Sequence, residues 1–414
     1  MDTSIERGNW VNNIFHKCFT SFHFNKQKNK MTEILLTIFF ISVLLFFLGS
    51  GIWVALSMIG VSAIGMMLFT SRPVGDAMAT TIWGTSSSWT LTALPLFVWM
   101  GEILFRTKLS ENLFKGLSPW MQKLPGGLIH VNIVGCALFA AISGSSAATV
   151  ATVGKMSIPE LRKRKYPEKI LLGSLAGSGT LGLLIPPSII LIIYGVAVQE
   201  SIAKLFIAGI IPGIMIALIF MSYVIIWSLI NKKIMPKILE EYSFIDKIKR
   251  SKQLLPVIIL ILAVIGSIYT GIATATEAAS LGVLGALILS YFQKSLTVET
   301  FKSSLLGATK TSCMIAFILA GSTFLSLAMG FTGLPRNLAL WIQNMELSPY
   351  VLIFVLMIFY IILGMFLDGI SAVVLTMAII EPMIRQAGFD MIWFGIFLVI
   401  VVEMAQITPP VGFN

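Results

Sequence analysis

Between residues 34 and 407 the sequence is a close succession of apolar segments, and several are too short to cross a bilayer. A spanning helix needs about 20 apolar residues for a hydrocarbon core of roughly 30 Å. The candidates are 34–49, 52–70, 91–105, 128–142, 147–161, 169–185, 189–199, 202–230, 254–270, 272–292, 311–330, 350–367, 370–384 and 391–407. The short ones come in pairs interrupted by small residues or prolines. Backbone N–H and C=O groups at membrane depth must be satisfied inside the protein, which leaves such a chain only helices to build from. The expected fold is all-α and polytopic. Residues 107–123 break the pattern with an amphipathic stretch expected to lie along the interface.

Charge agrees with this reading. Only 12% of the 414 residues are charged and 57% are hydrophobic, whereas soluble domains carry roughly 25% charge. That argues against a soluble enzyme, a nucleic-acid-binding protein and a disordered scaffold. The net charge of +10 does not point to nucleic acid either, because no basic segment interleaves with aromatics. Residues 231–252 hold seven Lys/Arg against three acids, and residues 155–169 hold six against two. Both segments are expected on the cytoplasmic side. A broken helix (169–199) and a full helix (202–230) lie between them, an even number of crossings, so the two assignments agree.

Cys18, Cys136 and Cys313 are too scattered for a disulfide framework or metal cluster, and His16, His23 and His130 show no ligand spacing. A membrane-embedded enzyme would need a catalytic cluster such as His/Asp ligands or a Ser–Lys or Ser–His pair, and His130 stands alone. The chain is therefore read as a non-enzyme. A channel would not explain the paired short segments. Residues 1–30 are polar and aromatic, with no apolar core suited to a signal peptide. They are read as an extension outside the working fold, with Met31 a sensible start.

Two stretches share one layout. LFAAISGSSAATVATVGKMSIPEL precedes LAGSGTLGLLIPPSIILIIYG, and IILGMFLDGISAVVLTMAIIEPMI precedes FGIFLVIVVEMAQITPPVGFN. In each, an apolar segment meets a Gly/Ser break, turns back, and is followed by a helix with a double proline. Ser145 and Pro186 are 41 residues apart, Gly369 and Pro409 are 40 apart. The arms around Ser143–Ser146 are about 15 residues each, roughly 22 Å, which suits a re-entrant hairpin with its tip inside the membrane. Pro186 and Pro187 each remove an N–H and displace the carbonyl four residues back. A Gly/Ser tip facing freed carbonyls and hydroxyls is an all-oxygen cage suited to a hard cation such as Na⁺. Paired discontinuous helices in two repeats point to a secondary transporter's midplane site. Taken alone, Ser143-Gly144-Ser145-Ser146 reads as close helix packing and a proline pair as a kink; four such features at matched offsets outweigh that.

The sequence resembles the large membrane subunit of tripartite ATP-independent periplasmic (TRAP) transporters. The resemblance rests on ALPLFVWMGEILF (93–105), LPGG (124–127), CALFAAISGSSAAT (136–149), IPEL (158–161), AGSGTLGLLIPPSI (176–189), ATEAASLGVLGAL (275–287), FLDGISAV (366–373) and ITPPVGFN (407–414), in the family's order. It implies an elevator-type fold with two inverted repeats in a bacterial inner membrane. It further implies sodium-coupled import of an organic acid delivered by a periplasmic binding protein, with a small four-helix membrane subunit as partner and no cofactor beyond Na⁺. The family's first tip corresponds to Ser143, Gly144, Ser145 and Ser146, facing Gly182, Ile185, Pro186 and Pro187. The second corresponds to Asp368, Gly369 and Ser371, facing Thr408, Pro409 and Pro410. Gln406 and Glu381 depart from the family's usual residues, and are read either as tuning a substrate pocket or as contacts between packed helices.

Glu102, Glu277, Lys310, Asp368 and Glu403 sit in or beside apolar stretches, where an unpaired charge costs at least a few kcal/mol. For Glu102 and Glu277, scaffold and functional roles stay open; Asp368, at a predicted break, is read as functional. With few Arg residues in apolar stretches, hairpin dipoles and hydroxyls are the expected contacts for a substrate carboxylate. The competing reading is a stand-alone Na⁺/dicarboxylate carrier. The chain divides into an extension (1–30), scaffold and arm helices (31–127), a first repeat core (128–200), scaffold helices with a basic loop (201–349) and a second repeat core (350–414). By repeat symmetry the second core is expected to continue roughly 40 residues beyond Pro410, so the sequence is read as truncated.

Overall fold

The computed structural model describes residues 36 and 38–409, apart from 108, 237–241, 253, 334, 336, 338–339 and 341–347. Residues 1–30, Pro410 and the expected continuation of the second core lie outside the described residues. Among the described residues the elements are all helices. Four helices are long and apolar enough to cross a membrane alone: Ile202–Ile230, Ala275–Phe292, Val298–Thr332 and Gly369–Gln386; the number reaches seven if each bent pair counts as one span.

The chain opens with α1 (Ile38–Gly49), α2 (Val54–Phe69), α3 (Val74–Ser86) and α4 (Ala93–Phe105). The amphipathic stretch forms α5 (Leu109–Met121). The first hairpin follows as α6 (Ile129–Ser143) and α7 (Ser146–Lys163). Next come α8 (Glu168–Gly179), the short α9 (Leu181–Leu184) and α10 (Ile189–Ala197). Then α11 (Ile202–Ile230) precedes α12 (Phe244–Ser251), α13 (Leu255–Tyr269), α14 (Ala275–Phe292) and α15 (Val298–Thr332). The last three are α16 (Pro349–Gly364), α17 (Gly369–Gln386) and α18 (Met391–Ile407).

The longest helix, α15, packs along α2, α3 and α4, and α4 also packs on α14. Arg106 ties α4 to α15: its Nε donates to Ser303 Oγ at 3.1 Å while its guanidinium pairs with Glu102. Glu102 is therefore part of this tie. Glu277 belongs to a capping box, with Thr274 Oγ1 accepting from the Glu277 N–H at 3.3 Å and the carboxylate accepting from the Thr274 N–H at 2.8 Å. It starts α14 at a helix end, where a charge can stay in water. Lys310 is exposed. On its other side α15 meets α17, where Ser322 Oγ donates to the Val374 carbonyl at 2.6 Å.

Two elements exceed the sequence expectation. α15 runs 35 residues where 311–330 was expected, because its first half (VETFKSSLLGATK) carries charges that hide a helix capped by Thr297. α3 was hidden by its Gly, Thr and Ser content. The amphipathic α5 packs on α12 through Trp120, whose Nε1 donates to Ser251 Oγ at 2.7 Å with Lys247 Nζ 5.3 Å above the ring.

The LPGG motif makes the turn from α5 into the first hairpin. Gly126 and Gly127 have φ of +103° and +55°, a region that L side chains rarely adopt. A Cβ on Gly127 would sit 2.5 Å from the Tyr166 hydroxyl, and that hydroxyl accepts the Leu128 N–H at 3.0 Å. The turn thus anchors the start of α6 to the link between α7 and α8. Gly127→Ala is expected to cost about 1–3 kcal/mol and to lower the thermal unfolding midpoint of the purified protein. Gly266→Ala, in helix α13 with no atom within 4 Å of the new Cβ, should leave the midpoint unchanged or slightly raised.

Candidate ion and substrate site

The first tip is built by two adjacent caps. Gly144 ends α6 with φ +61°, and Ser145 starts α7 as N-cap, its Oγ accepting from the Ala148 N–H at 3.5 Å. Two further hydroxyls then knit the turn. Thr149 Oγ1 donates to the Ser145 carbonyl at 2.7 Å and lies 2.9 Å from Ser143 Oγ. Thr149 was not singled out from sequence, although its place four residues after Ser145 is the signal for it.

This tip docks onto the proline break between α9 and α10. The Ile189 N–H donates to the Gly144 carbonyl at 3.2 Å. A Cβ on Gly144 would lie 2.6 Å from the Pro187 carbonyl oxygen, and one on Gly182 would lie 2.6 Å from the Ser145 carbonyl oxygen. Both glycines are therefore demanded by backbone-to-backbone approach. Gly101 of α4 closes the third side, with the Ser143 Cα 3.1 Å from where its Cβ would stand. Helices α8–α9 and α10 meet at 41°. The Leu183 carbonyl, freed by Pro187, accepts from the Ser188 hydroxyl, and Ser188 also N-caps α10. Of the oxygens expected to form a cage, this one is already paired.

The structure brings Ser143, Gly144, Ser145 and Ser146 together with Gly182 and the Pro186–Pro187 break. A cleft of about 170 Å³ opens beside the tip, lined by Ser143, Ser145, Ile189, Glu102, Val98 and Thr311 among others. It lies between the hairpin and the scaffold helices α4 and α15.

The second tip lies at Asp368–Gly369. Asp368 N-caps α17, its Oδ2 accepting from the Ser371 N–H at 3.1 Å. Gly369 meets the first repeat as well as its own: a Cβ there would lie 2.3 Å from Gln406 Nε2, 2.9 Å from Val402 and 3.4 Å from Ile190. Gln406 also accepts, through Oε1, from the Ser146 hydroxyl at 3.3 Å. One amide therefore stands between the two tips, as a contact between packed helices. Thr408 ends α18 with its hydroxyl donating to the Met404 carbonyl at 2.8 Å, and Pro409 follows, exposed. Glu381 is likewise a packing contact. It accepts from Arg385 Nε at 2.9 Å, and Arg385 Nη2 donates to the Val198 carbonyl at 3.0 Å. Glu403, one turn before Gln406 on the same face, is 3% exposed.

A helical bundle with a hairpin tip seated on a broken helix in its interior defines a multi-pass membrane transport protein. The family described as "Tripartite ATP-independent periplasmic transporter, DctM component" matches residues 39–414, and the chain belongs to it, as its motifs implied. It is 32% identical over 354 residues to the C4-dicarboxylate TRAP transporter large permease protein DctM of Pseudomonas aeruginosa, covering 85% of this chain and 82% of that one. It is 31% identical over 366 residues to the sialic acid TRAP transporter large permease protein SiaM of Vibrio cholerae, covering 88% and 84%. It is 32% identical over 343 residues to the 2,3-diketo-L-gulonate TRAP transporter large permease protein YiaN of Escherichia coli, covering 81% and 78%.

Gly182→Ala is expected to lift the tip off the break, since the atom it meets is backbone and cannot rotate away. A cysteine at position 145 should then label faster with a membrane-permeant maleimide than in the parent. Gly173→Ala, on α8 with open space around it, should leave the labelling rate unchanged.

Proposed function

We propose that the chain is the sodium-coupled permease of a three-part importer in a bacterial inner membrane. A periplasmic binding protein hands it an organic acid, a small four-helix membrane subunit braces its scaffold, and the repeat core carries the substrate by an elevator movement. The observation that carries this reading is the docking of the Gly144–Ser145 tip onto the proline break. Such a joint gathers hydroxyl and carbonyl oxygens in the interior, the ligand set that a hard cation takes. Ser143 and Ser145 face the cleft, so ion and substrate can reach the joint from the scaffold side. Tip N–H groups and hydroxyls then supply neutral donors for a substrate carboxylate.

The family's tripartite description favours this over a stand-alone sodium/dicarboxylate carrier. Relatives named for C4-dicarboxylates, sialic acid and 2,3-diketo-L-gulonate support an organic acid as the substrate class.

Uptake by the complex in proteoliposomes is expected to stop when Na⁺ outside is replaced by choline; unchanged uptake in choline would overturn the coupling. Ser145→Leu should insert normally and lose uptake, because a bulky side chain fills the tip beside the cleft. Thermal shifts of the cognate binding protein across a panel of C4-dicarboxylates, sialic acids and keto sugar acids should single out one acid.

A further inference from the structure

Glu403 plays no part in the transport reading above, yet it is among the most unusual residues in the molecule. It lies on α18, a helix packed against α9, α10, α11, α16 and α17, and its Oε1 has no hydrogen-bond partner. The groups that act on its carboxyl are the Thr180 hydroxyl and the Leu183 N–H, on the other repeat's broken helix. The charged and titratable groups of the neighbouring helices are engaged or placed elsewhere. Tyr194 of α10 donates to the Met391 carbonyl at 2.6 Å, twelve residues and about 18 Å along α18 from Glu403. Tyr360 of α16 lies 2.6 Å from Thr376 Oγ1, and Tyr350 of α16 and Tyr223 of α11 are exposed. On α17, Glu381 and Arg385 pair with each other, Lys204 of α11 is exposed, and α9 has no such group. Asp368, at the second tip, caps the Ser371 N–H.

Hydrogen-bond accounting around Thr180 gives the sign of the contact. A hydroxyl has one proton, and that of Thr180 goes to the Gly177 carbonyl at 2.7 Å. What it turns toward Glu403 is a lone pair. A carboxylate there would have as its one donor the Leu183 N–H, which already donates to the Thr180 carbonyl at 3.1 Å, and would meet a Thr180 lone pair with no cation to offset the cost of burial. A carboxylic acid would donate its O–H to Thr180 and leave a carbonyl oxygen, which bears the lack of a partner more easily.

We propose that Glu403 is a proton-binding site: a neutral carboxylic acid whose O–H donates to Thr180 Oγ1 and so joins the second repeat to the broken helix of the first. The bound ligand is a proton, not the coupling Na⁺. Removing it places an unpaired charge between the repeats and loosens their contact.

Infrared spectroscopy on the full chain in nanodiscs tests this. At neutral pH the wild type should show a carbonyl band of a protonated carboxyl that Glu403→Gln removes and Glu403→Asp shifts. Thermal stability of the wild type should fall as pH is raised above the ordinary carboxyl range, where the unfolded chain has lost the proton that the folded chain keeps, and more steeply than that of Glu403→Gln. A neutral-pH wild-type spectrum without a Glu403 carboxylic band would overturn the proposal, even if neither variant folds. So would a band bleached by adding NaCl at constant pH, which would make the site a cation site. Loss of Na⁺-dependent uptake in Ser145→Leu bears on the tip and leaves this site untouched, so the two readings fail separately.

Discussion

Everything in this fold answers to one constraint: an interrupted helix inside a membrane leaves backbone groups that water cannot reach. The molecule meets it by making two interruptions serve each other. The first hairpin tip ends one helix and begins another, and the broken helix opposite lacks two N–H groups. Seated together, the Gly144 carbonyl takes the Ile189 N–H, while within the break the Ser188 hydroxyl donates to the Leu183 carbonyl. Each interruption satisfies part of its backbone by itself and part through the other. That mutual need fixes which residues can stand there, and it requires glycine at 144 and 182 whatever the joint carries.

The polar contacts sort into two sets by what they hold. Arg106, Glu102 and Ser303 tie scaffold helices to each other, and the Thr274–Glu277 box starts one of them cleanly. A second set crosses between the repeats: Gln406 reaches Ser146, and Arg385 on α17 reaches the end of α10. Polar links of the second kind help hold register between two halves that apolar packing alone would let slide.

Much of this was legible in the sequence because breaking a helix takes distinctive residues. Gly-Ser-Ser and Pro-Pro at matched spacing gave the hairpin, the break and their partnership, and the family motifs agreed. Helices whose apolar face is diluted by charge or hydroxyls were not legible, so α3 and the first half of α15 went unseen. The roles of isolated charges were also out of reach. Glu102, Glu277 and Glu403 look alike in one dimension, yet one is an ion-pair tie, one a helix cap and one a buried acid, and only packing separates them. Gln406 stood out as unusual, but its place between the tips depends on two loops 260 and 37 residues away in sequence.

The contact between α15 and α17 has a mechanical consequence. Ser322 Oγ gives its proton to the Val374 carbonyl, an oxygen that also lies within a regular helix and has its own i+4 amide. A serine in mid-helix can turn and bond the carbonyl four residues back on its own strand of the bundle. Parting the two helices would therefore strand no donor and no acceptor. The seam between the long strut and the hairpin arm has the character of a clasp rather than a weld: it holds shape at rest and would leave no polar group stranded if it opened.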